Sequence, residues 1–294
     1  MNFLLCTRDG GTRHPLPAPL SFSFLDDADA PATQFTGRFP CPHTLPDLPW
    51  LRVLEYGREV FAGPLDVVQE SMGSTAVCTI QARSPAALLL DSEALPGTYR
   101  DPDLGTLFRA HAAPYGFPGI AGDARSFPGA YTVAKGASEW TALDGFCRGY
   151  LGVPLREEGG NLLATKQAFP APLVLGRGGL SYRQLCRTRS PYRLLSSVWG
   201  KGADGWTEAA TDPDAAGRGI LRRRLAGDPD AVLQKARQNA ALATVLLPGH
   251  VPAAPGQPAV LCPQTGTGLE MSVAAVLWSL SDKGETTRIS LRET

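Results

Sequence analysis

The sequence predicts a mainly β protein of the α+β class, in which two β-rich modules flank a smaller α+β module. Three observations carry this. Apolar and polar residues alternate through the first ~94 residues. Helical spacing concentrates between residues 95 and 165. Alternation then returns and runs to the clearest hairpin of the chain, over 269–292.

In the first module, residues 1–94, Ser21-Phe22-Ser23-Phe24 alternates, and Phe35, Gly37 and Phe39 share one parity. Leu51 to Tyr56 and Glu59 to Ala62 flank Gly57-Arg58. That spacing predicts a type II′ hairpin with Gly57 at the first turn position. From Thr75 to Arg83 the residues Ala76, Cys78, Ile80 and Ala82 form one face. Ser84 and Pro85 then predict a short helix, with Ser84 as N-cap and Pro85 first in the helix.

In the middle module, residues 95–165, Asp101-Pro102-Asp103 opens a helix with Leu104, Leu107, Phe108 and His111 on one face. Pro114 and Gly116 end it. Ser138 caps a second helix with Trp140, Leu143, Phe146, Cys147 and Tyr150 at helical spacing, closed by Gly152. A hairpin follows, turning at Gly159-Gly160.

In the last module, residues 166–294, strands are expected over Tyr182 to Arg189 and Tyr192 to Val198, broken by Ser190-Pro191. Asp228-Pro229-Asp230 starts a helix whose inward face is Val232, Ala236, Ala240 and Ala243. Leu269, Met271, Val273, Ala275 and Leu277 share one parity of the closing hairpin; Thr287, Ile289 and Leu291 share one of its second strand. Asp282-Lys283-Gly284 is the turn, with Gly284 suited to a left-handed bulge position.

Composition narrows the function. The 294 residues carry 28 Lys and Arg against 28 Asp and Glu, so non-specific or sequence-specific nucleic-acid binding is not expected. Gly (32) and Pro (26) are abundant without a period, which fits many turns between short strands. No stretch approaches the ~20 apolar residues of a membrane span, and the Met1 to Arg8 run lacks a signal-peptide pattern. The six cysteines (Cys6, Cys41, Cys78, Cys147, Cys186, Cys262) are scattered with no C-x-x-C. They are expected to be reduced, mostly buried thiols of a protein made inside the cell.

No motif carries chemistry. Gly200-Lys201-Gly202-Ala203-Asp204-Gly205 matches G-x-G-x-x-G, but no βαβ pattern surrounds it, so a glycine-rich loop is expected. His14, His43, His111 and His250 lack metal partners at helical spacing. Asp26-Asp27, Glu157-Glu158 and the three Asp-Pro-Asp triplets could pair as glycosidase carboxylates, but the triplets have a sufficient role as caps or turns. Trp50, Trp140, Trp199, Trp206 and Trp278 are too spread for a row of sugar-stacking rings. Arg218-Gly219-Ile220-Leu221-Arg222-Arg223-Arg224 is the one basic cluster, read as a solvated edge, as a contact for an acidic surface or as the lining of a charged channel. No catalytic residue, cofactor or metal site is expected.

Three segments together resemble a known family. Tyr56-Gly57-Arg58-Glu59-Val60-Phe61-Ala62-Gly63, continuing to Ser84 through Ala94, resembles the first module of phage baseplate hub proteins of the Mu-like and late-control-D type. Ser138-Glu139-Trp140 through Cys147 resembles the helix of their middle domain. Pro255-Gly256-Gln257-Pro258-Ala259 and the closing hairpin resemble the end of their last domain. The resemblance implies two tail-tube-like antiparallel β-barrel domains per subunit and a homotrimer that joins a sixfold tail tube to a threefold spike. It also implies a place in the baseplate of a virion tail or tail-like particle. Spike and tail tube proteins are the implied partners, with tape-measure and LysM-type adaptor proteins as further candidates. A tail-associated cell-wall hydrolase is the alternative.

Overall fold

The computed structural model describes residues 1–294 except 42, 72, 74, 75, 170, 204, 264–266 and 294. Thr75 and Asp204, which the sequence placed in a strand and in the glycine-rich segment, lie outside the described residues. Strands take up 48% of the chain and helices 17%, with antiparallel pairing dominant, so the mainly β class is met. The chain forms two compact units: Met1–Ala168 with Ser279–Lys283, and Phe169–Trp278 with Gly284–Thr294.

The first unit begins with seven strands: β1 Asn2–Cys6, β2 Arg13–Pro15, β3 Ser21–Asp27, β4 Ala30–Pro40, β5 Trp50–Glu55, β6 Arg58–Ser71 and β7 Val77–Arg83. They pair antiparallel in the order β3-β4-β7-β6-β5-β1-β2. The long β6 makes the corner, because Arg58 to Pro64 pair with β5 while Leu65 to Ser71 pair with β7. Gly63 sits at this corner. A Cβ built there would overlap the Arg83 carbonyl oxygen, so only glycine lets the two backbones approach.

Folding at the corner lays β1 over β3 and β4. The Phe3 ring lies 5.8 Å from Phe22, 5.9 Å from Phe35 and 5.2 Å from Phe39. Phe24 and Phe61 extend the cluster. Gly37 shares the face of Phe35 and Phe39, and its missing side chain leaves room for both rings, since a Cβ would stand 2.6 Å from Phe35. Cys78, Ile80 and Ala82 are buried on one face of β7, as their alternation predicts.

The middle of this unit comprises α1 Ala86–Leu90, β8 Gly97–Arg100, α2 Leu104–His111, β9 Ile120–Gly122, β10 Ala130–Val133, α3 Glu139–Phe146, β11 Arg156–Glu158 and β12 Asn161–Ala164. Asp103 caps α2 by accepting from the Thr106 amide, and Ser138 caps α3 by accepting from the Thr141 amide. Gly116 and Gly152 end the helical stretches in the left-handed conformation. Leu89, Leu107, Leu143, Phe146 and Leu162 fill a core of their own.

The second unit comprises β13 Leu173–Gly176, β14 Gln184–Arg189, β15 Ser197–Gly202, β16 Gly205–Thr211, α4 Pro213–Gly217, β17 Arg223–Leu225, α5 Pro229–Ala240, β18 Ala241–Pro248, β19 Pro258–Cys262, β20 Leu269–Ser281 and β21 Gly284–Glu293. Its main sheet runs β14-β18-β21-β20-β19-β13. Leu175, Val245, Leu261, Val273, Ile289 and Leu291 meet in one core, so the sheet curls around a single interior. A small sheet, β16-β15-β17, packs Val198 and Ala210 against Leu233 of α5.

Five local expectations are corrected. The β5–β6 turn is Tyr56-Gly57, with Glu55 paired to Arg58, and both turn residues have positive φ (48° and 81°) as a type I′ turn requires. Ser84 does not cap α1 with its side chain; Pro85 is the N-cap and the helix starts one residue later. Tyr192 to Val198 is not one strand, because Pro191–Arg193 forms a 3-10 turn and β15 begins at Ser197. Ala243 belongs to β18, since the helix stops at Ala240. Burial along β20 changes parity: Met271 and Val273 are buried in one half, Val276 and Trp278 in the other, so Ala275 and Leu277 do not continue the inner face.

Candidate functional site

The Asp-Pro-Asp triplets act as local structure. Asp212 caps α4 by accepting from the Ala215 amide, and Asp228 caps α5 by accepting from Ala231. In the first triplet the cap is the third residue, Asp103, while Asp101 has φ 44° and accepts from the Gly129 amide. Asp212 also receives the Arg237 guanidinium at 2.6 Å, which holds its carboxyl below the usual range.

The remaining acidic pairs are no better placed for catalysis. Asp26 accepts from the Thr33 hydroxyl at 2.6 Å, and Asp27 from the Asp29 amide. Glu157 accepts from the Gly160 amide at the β11–β12 turn. Burial pushes the Glu157 carboxyl up, although one edge of the residue remains in contact with solvent. A shallow depression beside it, lined by Gly119, Ile120, Ala121, Glu158, Asn161, Leu162 and Leu163, contains one carboxylate and no partner acid or base.

The glycine-rich segment is the β15–β16 hairpin, with Gly202 opposite Gly205. A dinucleotide site needs a helix N-terminus at that point, and an antiparallel strand stands there instead.

The histidines scatter. His14 lies on β2 opposite Leu5. The His43 carbonyl accepts from the Cys41 thiol. His250 stacks on Trp278 with ring centroids 3.9 Å apart. Among the described residues no group of three His, Cys, Asp or Glu could hold a metal ion, and no helix is long and apolar enough to cross a membrane. Cys6, Cys41, Cys78 and Cys147 are buried, Cys262 is half-buried and Cys186 exposed. Burial pushes the Cys78 and Cys147 thiols up to about 12, which keeps them protonated and unreactive.

One polar cluster escaped the sequence reading. His111 Nδ1 is 2.6 Å from Glu139 Oε2, Tyr99 Oη is 2.9 Å from His111 Nε2, and Tyr115 Oη donates to Glu139 Oε1 at 3.0 Å. The set resembles an acid–base relay, but His111 is 2% and Glu139 6% exposed, too enclosed for substrate to reach. It joins β8, α2 and α3 instead. The spacing signal that could have found it is weak: Glu139 sits in the first turn of α3, where acids usually face the helix dipole.

The basic cluster has the most surface character. Arg222 donates to the Tyr192 carbonyl and lies 4.4 Å over the Tyr192 ring; Arg223 lies 5.0 Å over the Trp199 ring. Leu221, Leu225, Tyr192 and Trp206 are exposed in the same small sheet and its approaches.

The molecule thus presents β sheets, a helical insert and an exposed basic surface. Comparison with known proteins places this fold among those of phage tail proteins and related hubs. No family profile matches the chain, and no curated protein does. A 43 kDa tail protein of prophage MuSo2 from Shewanella oneidensis matches at TM-score 0.77 and 17% identity, over 100% of this chain and 98% of that one. A tail protein from Neisseria meningitidis MC58 matches at TM-score 0.74 and 17% identity, over 99% and 95%. An Escherichia coli component of the type VI secretion system, described as similar to the T4 bacteriophage tail proteins gp27 and gp5, matches at TM-score 0.57 and 10% identity, over 95% and 74%. The expected resemblance is therefore met in the fold.

Proposed function

We propose that the chain is a structural hub protein of a phage tail or tail-like contractile particle. Three copies would form a ring that joins a sixfold tail tube to a threefold spike. The observation that supports this most is the end-to-end likeness to the Shewanella tail protein, which leaves neither chain with a large unmatched segment. A second support is that solved PdpA-VgrG complexes, including the half-lidded Francisella one, contain chains that share this fold over 57% and 64% of their length. On this reading the spike and tail tube proteins are the partners, with tape-measure and LysM-type adaptors as further contacts, and the particle's baseplate is the site of action.

The reading divides the chain into a first tube-like β domain (1–94), an α+β middle domain (95–165) and a second tube-like β domain (166–294). The second unit's own sheet interior supports the last boundary. The chain works by geometry and not by catalysis: pairing its β edges with neighbours would cover them. No observation favours a cell-wall hydrolase, and a turbidity assay on cell walls should show no clearing. The direct experiment is mass measurement of the purified protein with and without spike and tube proteins. Trimers that join both partners support the proposal; a monomer that ignores both refutes it.

A further inference from the structure

The neutral chain conceals two oppositely charged halves. The first unit holds 14 Lys and Arg against 19 Asp and Glu, a net −5; the second holds 14 against 9, a net +5. Opposite charges on two units of one chain favour head-to-tail contact between copies, in which the basic unit of one meets the acidic unit of the next.

The basic unit carries a built contact surface. Arg222 and Arg223 are held on the faces of Tyr192 and Trp199, and the Arg222 carbonyl is fixed by the Ser196 amide and hydroxyl. Among the described residues neither guanidinium, nor that of Arg224, forms an ion pair with a carboxylate of its own chain. Leu221 is 82% and Leu225 57% exposed beside them. Arginine, tyrosine and tryptophan are the residue types enriched in interface hot spots, and the exposed Leu221 and Leu225 add apolar surface beside them. Side chains already ordered on aromatic rings lose little further freedom when a partner arrives.

We infer that the Tyr192, Leu221–Leu225 surface is the contact by which one copy of this chain docks on the acidic first unit of another. This rests on the ring proposed above and names what holds neighbouring copies together. The occupant is a second copy because the first unit of this same chain carries the complementary negative charge.

The test measures assembly mass by mass photometry and light scattering at about 50 mM and about 500 mM NaCl. The native protein is compared with the R222E/R223E/R224E variant and with Leu221→Asp, and a thermal melt of each confirms folding. Screening shortens the reach of exposed charges from about 14 Å to about 4 Å over that range. The inference predicts oligomers at low salt, at least about tenfold weaker association at high salt, and loss of association in a folded variant. Leu221 is so exposed that its replacement should fold normally, so Leu221→Asp still tests the contact if the triple variant fails to fold. Oligomers unchanged in both salt and variants overturn this contact but leave the ring intact. A native protein that stays monomeric at every concentration and salt overturns this contact, and one that also stays monomeric with spike and tube proteins present overturns the ring. If a 20-nucleotide DNA binds the native protein and not the variants, while assembly is unaffected, the surface is a polyanion site and the inference fails.

Discussion

The imidazole of His111 on α2 meets the carboxylate of Glu139 on α3 at 2.6 Å, and both are closed off from solvent. Tyr99 and Tyr115 complete the hydrogen bonding, so both Glu139 oxygens and both ring nitrogens of His111 have partners. Removing one member of such a pair leaves the other buried and uncompensated. His111→Ala should cost about 3 kcal/mol of unfolding free energy by chemical denaturation. A loss below about 0.5 kcal/mol would show that the cluster does not hold the middle domain together.

The β6 corner gives a second prediction. Gly63→Ala should cost about 1–3 kcal/mol, because its Cβ has no room beside the Arg83 carbonyl. Gly57→Asn in the β5–β6 turn should stay within about 0.5 kcal/mol of native. The turn needs positive φ there, which Asn tolerates, and nothing lies within 4 Å of the added Cβ. The pair separates a spatial need for glycine from a conformational one.

Two carboxyls should respond to pH with opposite sign. Arg237 depresses the folded pKa of Asp212, so the stability this pair adds is present above the unfolded value near 3.9 and disappears as pH falls through the folded value. Asp212→Asn keeps a capping side chain but should cost about 1 kcal/mol at pH 7, a modest figure because Arg237 is half exposed. The difference between native and variant should start to shrink below about pH 4 and vanish only once pH has fallen through the lower folded value.

Glu157 behaves the other way. Burial raises its folded pKa, so the folded state favours the protonated form, and stability is lost as pH rises through the folded value. Glu157→Gln should therefore melt higher than native at pH 7 and match it below about pH 4, the region of the unfolded glutamate pKa. A lower melting point at pH 7 would mean that the hydrogen bond from the Gly160 amide outweighs the cost of burial.

Thiol labelling checks the packing. In native buffer Cys186 should react with a disulfide reagent within minutes, whereas Cys78 and Cys147 should react after unfolding. Rapid modification of Cys147 would contradict the helical core.

Much of this fold is legible in residue order. Alternation located Cys78, Ile80 and Ala82 on the buried face, and Ser138 as a cap and the Asp101-Pro102-Asp103 and Asp228-Pro229-Asp230 triplets as helix starts were readable because capping is a contact over three residues. What escaped depends on distant neighbours. Tyr56 enters the turn because the β5–β6 register pairs Glu55 with Arg58, which residue types at 57–58 do not reveal. The parity change between Val273 and Val276 reflects burial on opposite faces of one long strand, a property of what surrounds it. His111 and Glu139 lie 28 residues apart, so their pairing exists only once α2 and α3 pack. Arg222 and Arg223 were visible as a charge run, but their aromatic supports, Tyr192 and Trp199, were not.

Electron cryo-microscopy of the purified chain mixed with its spike and tail tube proteins tests the central claim most directly. The account predicts a trimeric ring, pseudo-sixfold on the tube side and threefold on the spike side. Isolated monomers in the presence of both partners would contradict it.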